Sequence, residues 1–315
     1  MVLSTEYHDT VIQSIHFLEG GFPAKQKHIQ ITLAVSLFLI ALGITLYPLI
    51  STAYNSRHQS LIHTQYNQEL ANTDARFLQE NRALAVQYNA ALVPGAQQVD
   101  AFSSAAVELA SVDYANLLNI AENGIMGYLL IPQIGAELPI YHGTSDATLE
   151  VGVGHLLGSS LPVGGASTHT VLTGHSGMAN NKMLSDLDQL EIGDVFFLEV
   201  LEETLAYQVD QIKTVLPSDT TYLGIEEASD YCTLVTCTPF GVNTHRLLVR
   251  GSRITYSEEE KTQAISLSAD KPASTWEQQY LRGILLGIGI TGALCSSWFL
   301  VTRLRKKGRV GKYER

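Results

Sequence analysis

One thiol, one imidazole and one guanidinium are the groups in this chain best placed to do chemistry. Cys237 ends a β-type run, Thr233-Leu234-Val235-Thr236-Cys237, which Thr238-Pro239 stops. Its side chain is therefore expected at the rim of a sheet. Arg246 stands nine positions on, at the head of a second apolar run, Leu247-Leu248-Val249. The thiolate is the reactive form of cysteine, and a fixed cation nearby favours it. The base that such a nucleophile needs comes from Val171-Leu172-Thr173-Gly174-His175-Ser176-Gly177. There, His175 stands where a β-run breaks, with glycines at 174 and 177. These residue types point to a nucleophilic thiolate with a histidine as its partner base.

Other residues compete for these roles. Cys232 lies five positions before Cys237. Odd spacing on a strand sends the two to opposite faces, so Cys232 is expected in the core and unable to bridge to Cys237. The same geometry argues against zinc, although His169, His175, Cys232 and Cys237 come near metal-ligand spacings. No metal site and no organic cofactor are expected. Among the remaining histidines, His169 falls within a strand and His155 within a glycine-rich loop. His142 and His245 are further candidates, but His245 adjoins Arg246 and points away from it on a strand. Arg246 and Arg250 share a strand face, so periodicity alone does not choose between them.

The elements that must position these groups are short. β-type runs appear near 127–132, 137–141, 168–173, 194–200, 204–215, 231–237 and 245–256, punctuated by Gly, Pro, Asn and Asp. So many closely spaced strands imply an all-β barrel or sandwich. Upstream, residues 52–92 are polar and nearly free of Gly and Pro, which predicts helix. Asn72-Thr73-Asp74 breaks it and offers an N-cap for a second helix. Residues 96–124 form a polar connector, and 183–191 a short helix or turn.

Two uncharged stretches flank this region. Ile29–Ile50 is about 22 residues long, or about 33 Å as a helix, and 283–301 is about 19. Lys25 and Lys27 precede the first, and Arg303, Arg305, Lys306, Lys307 and Arg309 follow the second. The positive-inside rule then puts both termini in the cytoplasm and the middle outside. The first stretch exceeds the apolar core of a cleaved leader, which favours an uncleaved anchor. The net charge of −11 is uneven. Residues 29–281 carry about −17 by residue count, and the basic residues gather in the tail. A nucleic-acid partner is therefore not expected.

The motifs together resemble the sortase family of cysteine transpeptidases, and within it the class C, pilin-polymerising branch. The resemblance spans roughly residues 54–256. It rests on Thr-Leu-Val-Thr-Cys237, Thr-Gly-His175, Ile131-Pro132, Leu138-Pro139-Ile140-Tyr141-His142-Gly143, Gly152-Val153-Gly154-His155, Ser160-Leu161-Pro162-Val163-Gly164-Gly165 and the run from Asn243 to Gly251. It implies a mainly β fold: a closed eight-stranded barrel with N-terminal helices, flanked here by two transmembrane helices. The implied layout is a cytoplasmic 1–28, a span at 29–50, a helical region and lid loop at 51–126 and a barrel at 127–256. A linker at 257–282, a second span at 283–302 and a basic tail at 303–315 follow.

The resemblance assigns Cys237 as nucleophile, His175 as acid and base, and Arg246 rather than Arg250 as the cation that holds substrate and oxyanion. It also implies a lid carrying an Asp-Pro-aromatic motif. Asp100-Ala101-Phe102 is the candidate, with alanine in place of the proline. The implied partners are pilins and surface proteins ending in a Leu-Pro-x-Thr-Gly-like motif, met at the outer face of a Gram-positive-type membrane. A housekeeping sortase that anchors proteins to peptidoglycan is the alternative. A surface scaffold with an inactive barrel is a second, against which the intact Cys, His and Arg set speaks.

Overall fold

The computed structural model describes residues 24–92, 98–103, 112–176, 182–269, 280–293 and 296–297. They fall into two units, divided between Asn55 and Ser56. The first is the amino-terminal part of helix α1, which runs Ala24–Asn72 with Pro48 inside it. Its apolar side chains are exposed, Phe38, Ile44 and Ile50 among them. The helix over Val35–Asn72 is long and apolar enough to cross a membrane. Among the described residues it is the one candidate span. The second expected span is described over Tyr280–Ala293 as an apolar helix. At 1.5 Å per residue that stretch is about 21 Å long, less than the roughly 30 Å of a bilayer core. The rest of 283–302, apart from 296–297, lies outside the described residues, and so does Cys295.

The second unit is a barrel with helices packed on it. Its strands are β1 Ile125–Ile131, β2 Ala136–His142, β3 Val153–His155, β4 Thr168–Thr173, β5 Val195–Val200, β6 Glu203–Val215, β7 Asp230–Thr238 and β8 His245–Ile254. They close in the order β1-β2-β3-β4-β7-β8-β6-β5. The β2–β3 and β4–β7 pairs are parallel and the rest antiparallel. Closure leaves no free edge to pair with another chain. Seven strands lie close to the runs read from sequence. β3 does not: its Gly152-Val153-Gly154-His155 context looks like a loop. The glycine is what lets the strand in, because a Cβ at Gly154 would sit 2.2 Å from the carbonyl oxygen of Gly143. His155 is therefore a fully buried strand residue and not a loop residue.

The interior is filled from alternate positions, including Leu129, Ile140, Leu172, Phe196, Tyr207, Leu234 and Val249, while Tyr128 and Phe197 on the other face are covered by His63 and Tyr66 and by Tyr256. Helix α2, Ala75–Ala91, starts where expected: Asp74 caps it by accepting the Arg76 N–H at 2.8 Å. Leu78, Asn81, Ala85 and Asn89 line its buried face, the spacing of an amphipathic helix. Asn89 clamps the β3–β4 loop. Its Nδ2 donates to the Leu161 carbonyl at 3.1 Å, and its Oδ1 accepts the Leu161 N–H at 2.7 Å. From α1, Tyr66 donates its hydroxyl to the Met126 carbonyl and accepts the Leu201 N–H, both at 3.2 Å. Helix α3, Glu258–Ala269, is tied down by Lys261, whose Nζ lies 2.5 Å from Glu199.

Two buried histidines give the barrel a pH dependence. His155 faces the Tyr114 hydroxyl at 2.8 Å and the Ser160 carbonyl at 2.9 Å. His169 faces the Gly224 carbonyl at 2.8 Å and the Thr233 hydroxyl at 2.7 Å. Burial pulls both down to a pKa of about 4, so both are neutral in the folded chain near pH 7. The unfolded chain titrates near 6.5. Their contribution is thus present above about pH 6.5 and is lost as pH falls toward 4, at up to about 1.4 kcal/mol per pH unit for each. His169→Gln keeps a donor and an acceptor. In thermal melts between pH 6.5 and 4.5, this variant is expected to lose stability less steeply than wild type, by about 1 kcal/mol per pH unit. Parallel pH profiles would contradict the assignment.

Candidate active site

Backbone register assembles the site. In the antiparallel β7–β8 ladder Cys237 lies opposite Arg246. On the other side β4 runs parallel to β7, with Thr173 level with Val235. The chain leaving β4 therefore brings His175, two residues on, to the height of Cys237. The Gly174 N–H extends that pairing by donating to the Val235 carbonyl at 3.0 Å. Three sequence-distant residues thus stand side by side at one rim of the barrel.

Strand parity divides the cysteines as expected. Cys232 is fully buried and belongs to the interior with Leu234. Burial raises its pKa far above the ordinary thiol value. Cys237 is half-buried on the outer face. That face also carries an apolar patch of Val171, Val215, Val235 and Leu248, on β4, β6, β7 and β8. Both ring nitrogens of His169 are already used within the fold, and so are those of His155.

The segment 98–103 covers the patch. Ala101, 1% exposed, sits in the same apolar cluster, with Val99 and Phe102 against it. The Thr220 hydroxyl donates to the Gln98 carbonyl at 2.9 Å, and Gln98 Nε2 donates to the Gly158 carbonyl at 2.9 Å. A turn closed by Ser103 N–H to Asp100 carbonyl at 2.9 Å then presents the next two side chains to the rim. Asp100 accepts a two-pronged pair of bonds from Arg246, Nε at 3.0 Å and Nη2 at 2.8 Å. The Phe102 ring centroid lies 4.9 Å from the Arg246 guanidinium carbon and 6.0 Å from the His175 ring. Phe102 therefore bridges the two groups that flank Cys237. The alanine at 101 does not prevent this placement, because its methyl group is itself held in the patch. Arg250, the rival left open by periodicity, is engaged elsewhere. It forks onto Asp210 at 3.0 Å and stacks over Tyr231 at 4.0 Å.

The electrostatics describe a quiet site. Burial pushes the Cys237 thiol up; Arg246 pulls it down, and Asp100 pushes it up again. Burial lowers the pKa of His175, against an opposing pull from Asp146 and Glu150. Arg246 is disfavoured by burial, yet its bonds to Asp100 outweigh that and raise it. With 98–103 in place, burial favours the neutral thiol and the neutral imidazole, and the cation on the other flank of the thiol is occupied by a carboxylate.

The comparisons with known proteins agree with this architecture. A family model described as "Sortase domain" matches residues 129–254. A sortase C from Streptococcus pneumoniae is 44% identical, with a TM-score of 0.57, over 62% of this chain and 97% of that one. The chain belongs to the sortase family. Sortase C-1 from Actinomyces oris is 43% identical, with a TM-score of 0.53, and spans 57% of this sortase and 99% of its own chain. A sortase C2 of Group B Streptococcus is 42% identical, with a TM-score of 0.54, over 58% and 100%. Sortase D of Bacillus subtilis is 33% identical over 132 residues, 41% of this chain and 64% of its own length. The solved neighbours are thus of the C kind, and the family's members are cysteine transpeptidases.

The contacts of segment 98–103 generate a test. A surface-near ion pair contributes up to about 1 kcal/mol, and an arginine over an aromatic ring about 0.5–1 kcal/mol. Losing both shifts a closed–open balance by about tenfold or somewhat more. Asp100→Ala with Phe102→Ala is expected to speed alkylation of Cys237 by a bulky maleimide about tenfold, with little change in Tm. Asp100→Asn alone is expected to move the alkylation profile to lower pH, because removing the carboxylate favours the thiolate. Rates equal to wild type, or a large fall in Tm, would contradict the reading.

Proposed function

We propose that this chain is a pilin-polymerising transpeptidase whose reacting groups are Cys237, His175 and Arg246. The observation that carries the reading is the Asp100–Arg246 fork beside Cys237, at 3.0 and 2.8 Å, with Phe102 alongside. An arginine that holds a carboxylate in two-pronged fashion has the geometry to hold a substrate carbonyl or an oxyanion once the carboxylate leaves. The same withdrawal bares the apolar patch of Val171, Val215, Val235 and Leu248, which suits the leucine and proline of a Leu-Pro-x-Thr-Gly-like motif. Two of the similar sortases are described with reference to pilin substrate specificity and to a pilus island, which supports the pilin class.

The chemistry follows from the three groups. His175 takes the proton of Cys237, and the sulfur attacks the threonine carbonyl carbon. Arg246, with a backbone N–H near Thr238, stabilises the oxyanion. As the tetrahedral intermediate collapses, the carbon–nitrogen bond to glycine breaks, and the imidazolium protonates the departing amine. A thioacyl enzyme remains. A lysine amine of the next subunit then attacks its carbonyl and gives its proton to His175. The thiol leaves, and an isopeptide bond joins the two subunits. Residues 29–50 anchor the barrel domain of 127–256 at the outer face of the membrane, and 283–302 supplies a second pass.

Both location and nucleophile are tested on protoplasts carrying the full chain. A soluble pilin subunit ending in the motif is added from outside. Covalent ladders that survive boiling in detergent are expected from wild type and from Cys232→Ala, and none from Cys237→Ala. Ladders from the Cys237 variant would overturn the nucleophile. Ladders that appear only after lysis would overturn the topology.

A further inference from the structure

We infer that Thr236 is the positioning residue that sets His175 against Cys237; the inference rests on the reading of those two as the reacting pair. The last register pair of the β4–β7 ladder is Thr173–Val235. The Gly174 N–H adds one more backbone bond, to the Val235 carbonyl. The next link between the two chains is made by a side chain. Thr236 is 2% exposed, and its hydroxyl donates to the Gly174 carbonyl at 2.7 Å. That carbonyl belongs to the peptide unit entering His175. The peptide unit leaving His175 is held as well, because its carbonyl accepts the Leu184 N–H at 3.2 Å.

Gly174 itself has no slack. A Cβ there would lie 2.9 Å from Leu184 Cδ1 and 3.1 Å from Val153 Cγ1. With both flanking peptide planes fixed, the Cα–Cβ bond that carries the imidazole is fixed in direction, and the Phe102 ring 6.0 Å away limits how the imidazole can turn about it. The bond from Thr236 comes from the residue directly before the nucleophile. It therefore ties the position of the base to that of the sulfur and not merely to the barrel. Proton transfer requires heavy atoms within about 2.6–3.2 Å. A misplacement of about 1 Å can cost about a hundredfold in rate. Without the hydroxyl, the Gly174 carbonyl is left buried and unpaired, and the peptide plane is free to turn toward another donor.

The test uses two substitutions that rank oppositely under packing and hydrogen bonding. Thr236→Val keeps the shape and loses the hydroxyl; Thr236→Ser keeps the hydroxyl and loses a methyl. The detergent-solubilised full chain is assayed on a Leu-Pro-Glu-Thr-Gly peptide and on its ester analogue, in which the scissile amide nitrogen is replaced by oxygen. An ester leaving group depends less on protonation by His175. Thr236→Val is expected to lose about tenfold or more in kcat on the amide with KM little changed, and much less on the ester. Thr236→Ser is expected to stay near wild type on both. Equal losses on amide and ester, or a valine variant at least as active as the serine variant, would overturn the inference. Wild-type-like activity of Thr236→Val on the amide, in a chain that Cys237→Ala silences, overturns this inference alone. A wild-type chain that cleaves neither substrate overturns the reading beneath it as well.

Discussion

One backbone register governs everything at the rim: Cys237 opposite Arg246 on β8, with β4 parallel to β7 on the other flank. Side chains alternate along a strand, so a slip of one residue would send Cys237 inward and Cys232 outward. The interior prevents that slip. Cys232, Leu234 and Val249 are packed among Phe196, Tyr207 and Leu172. The barrel core thus acts as the ruler that places the thiol, the guanidinium and, through the end of β4, the imidazole.

The same parity explains why the outer face is not simply wet. Val171, Val235 and Leu248 point outward from three adjacent strands and make an apolar surface next to the thiol. Segment 98–103 covers it with Ala101 and Phe102, while Asp100 takes up the guanidinium. Packing and charge therefore act together. While the segment is seated, the thiol is raised by burial and by the Asp100 carboxylate, and Arg246 is engaged. Its departure would at once bare the apolar face, release the cation and favour the thiolate. The individual interactions are small, about 1 kcal/mol each, which is compatible with the opening that the proposed mechanism calls for.

Much of this was legible in the chain, for identifiable reasons. The run 168–173 reads as a strand because β-branched residues dominate it, and the structure gives it the same bounds. Asp74 announced a helix start and caps one. The opposite facing of Cys232 and Cys237 needed only the two-residue period. Strand β3 was hidden because three residues with a glycine at their centre carry no periodicity. His155 was consequently misread as a loop residue; the eighth strand came from family resemblance alone. Periodicity also left Arg246 and Arg250 equivalent. Only their partners separate them, Asp100 in one case and Asp210 with Tyr231 in the other. The Thr236–Gly174 bond joins residues 62 positions apart, and no local pattern signals it.

The account stands on Cys237 as the atom that takes the acyl group. Intact-mass and peptide-level mass spectrometry of the full chain, quenched in acid within seconds of mixing with a Leu-Pro-Glu-Thr-Gly peptide, tests this most directly. The expected result is a single hydroxylamine-labile adduct carrying the peptide up to its threonine. It should map to the fragment that contains Cys237, and it should be absent after Arg246→Ala or His175→Ala. An adduct on Cys232 or on any other residue would contradict the account. So would peptide cleavage without any covalent intermediate.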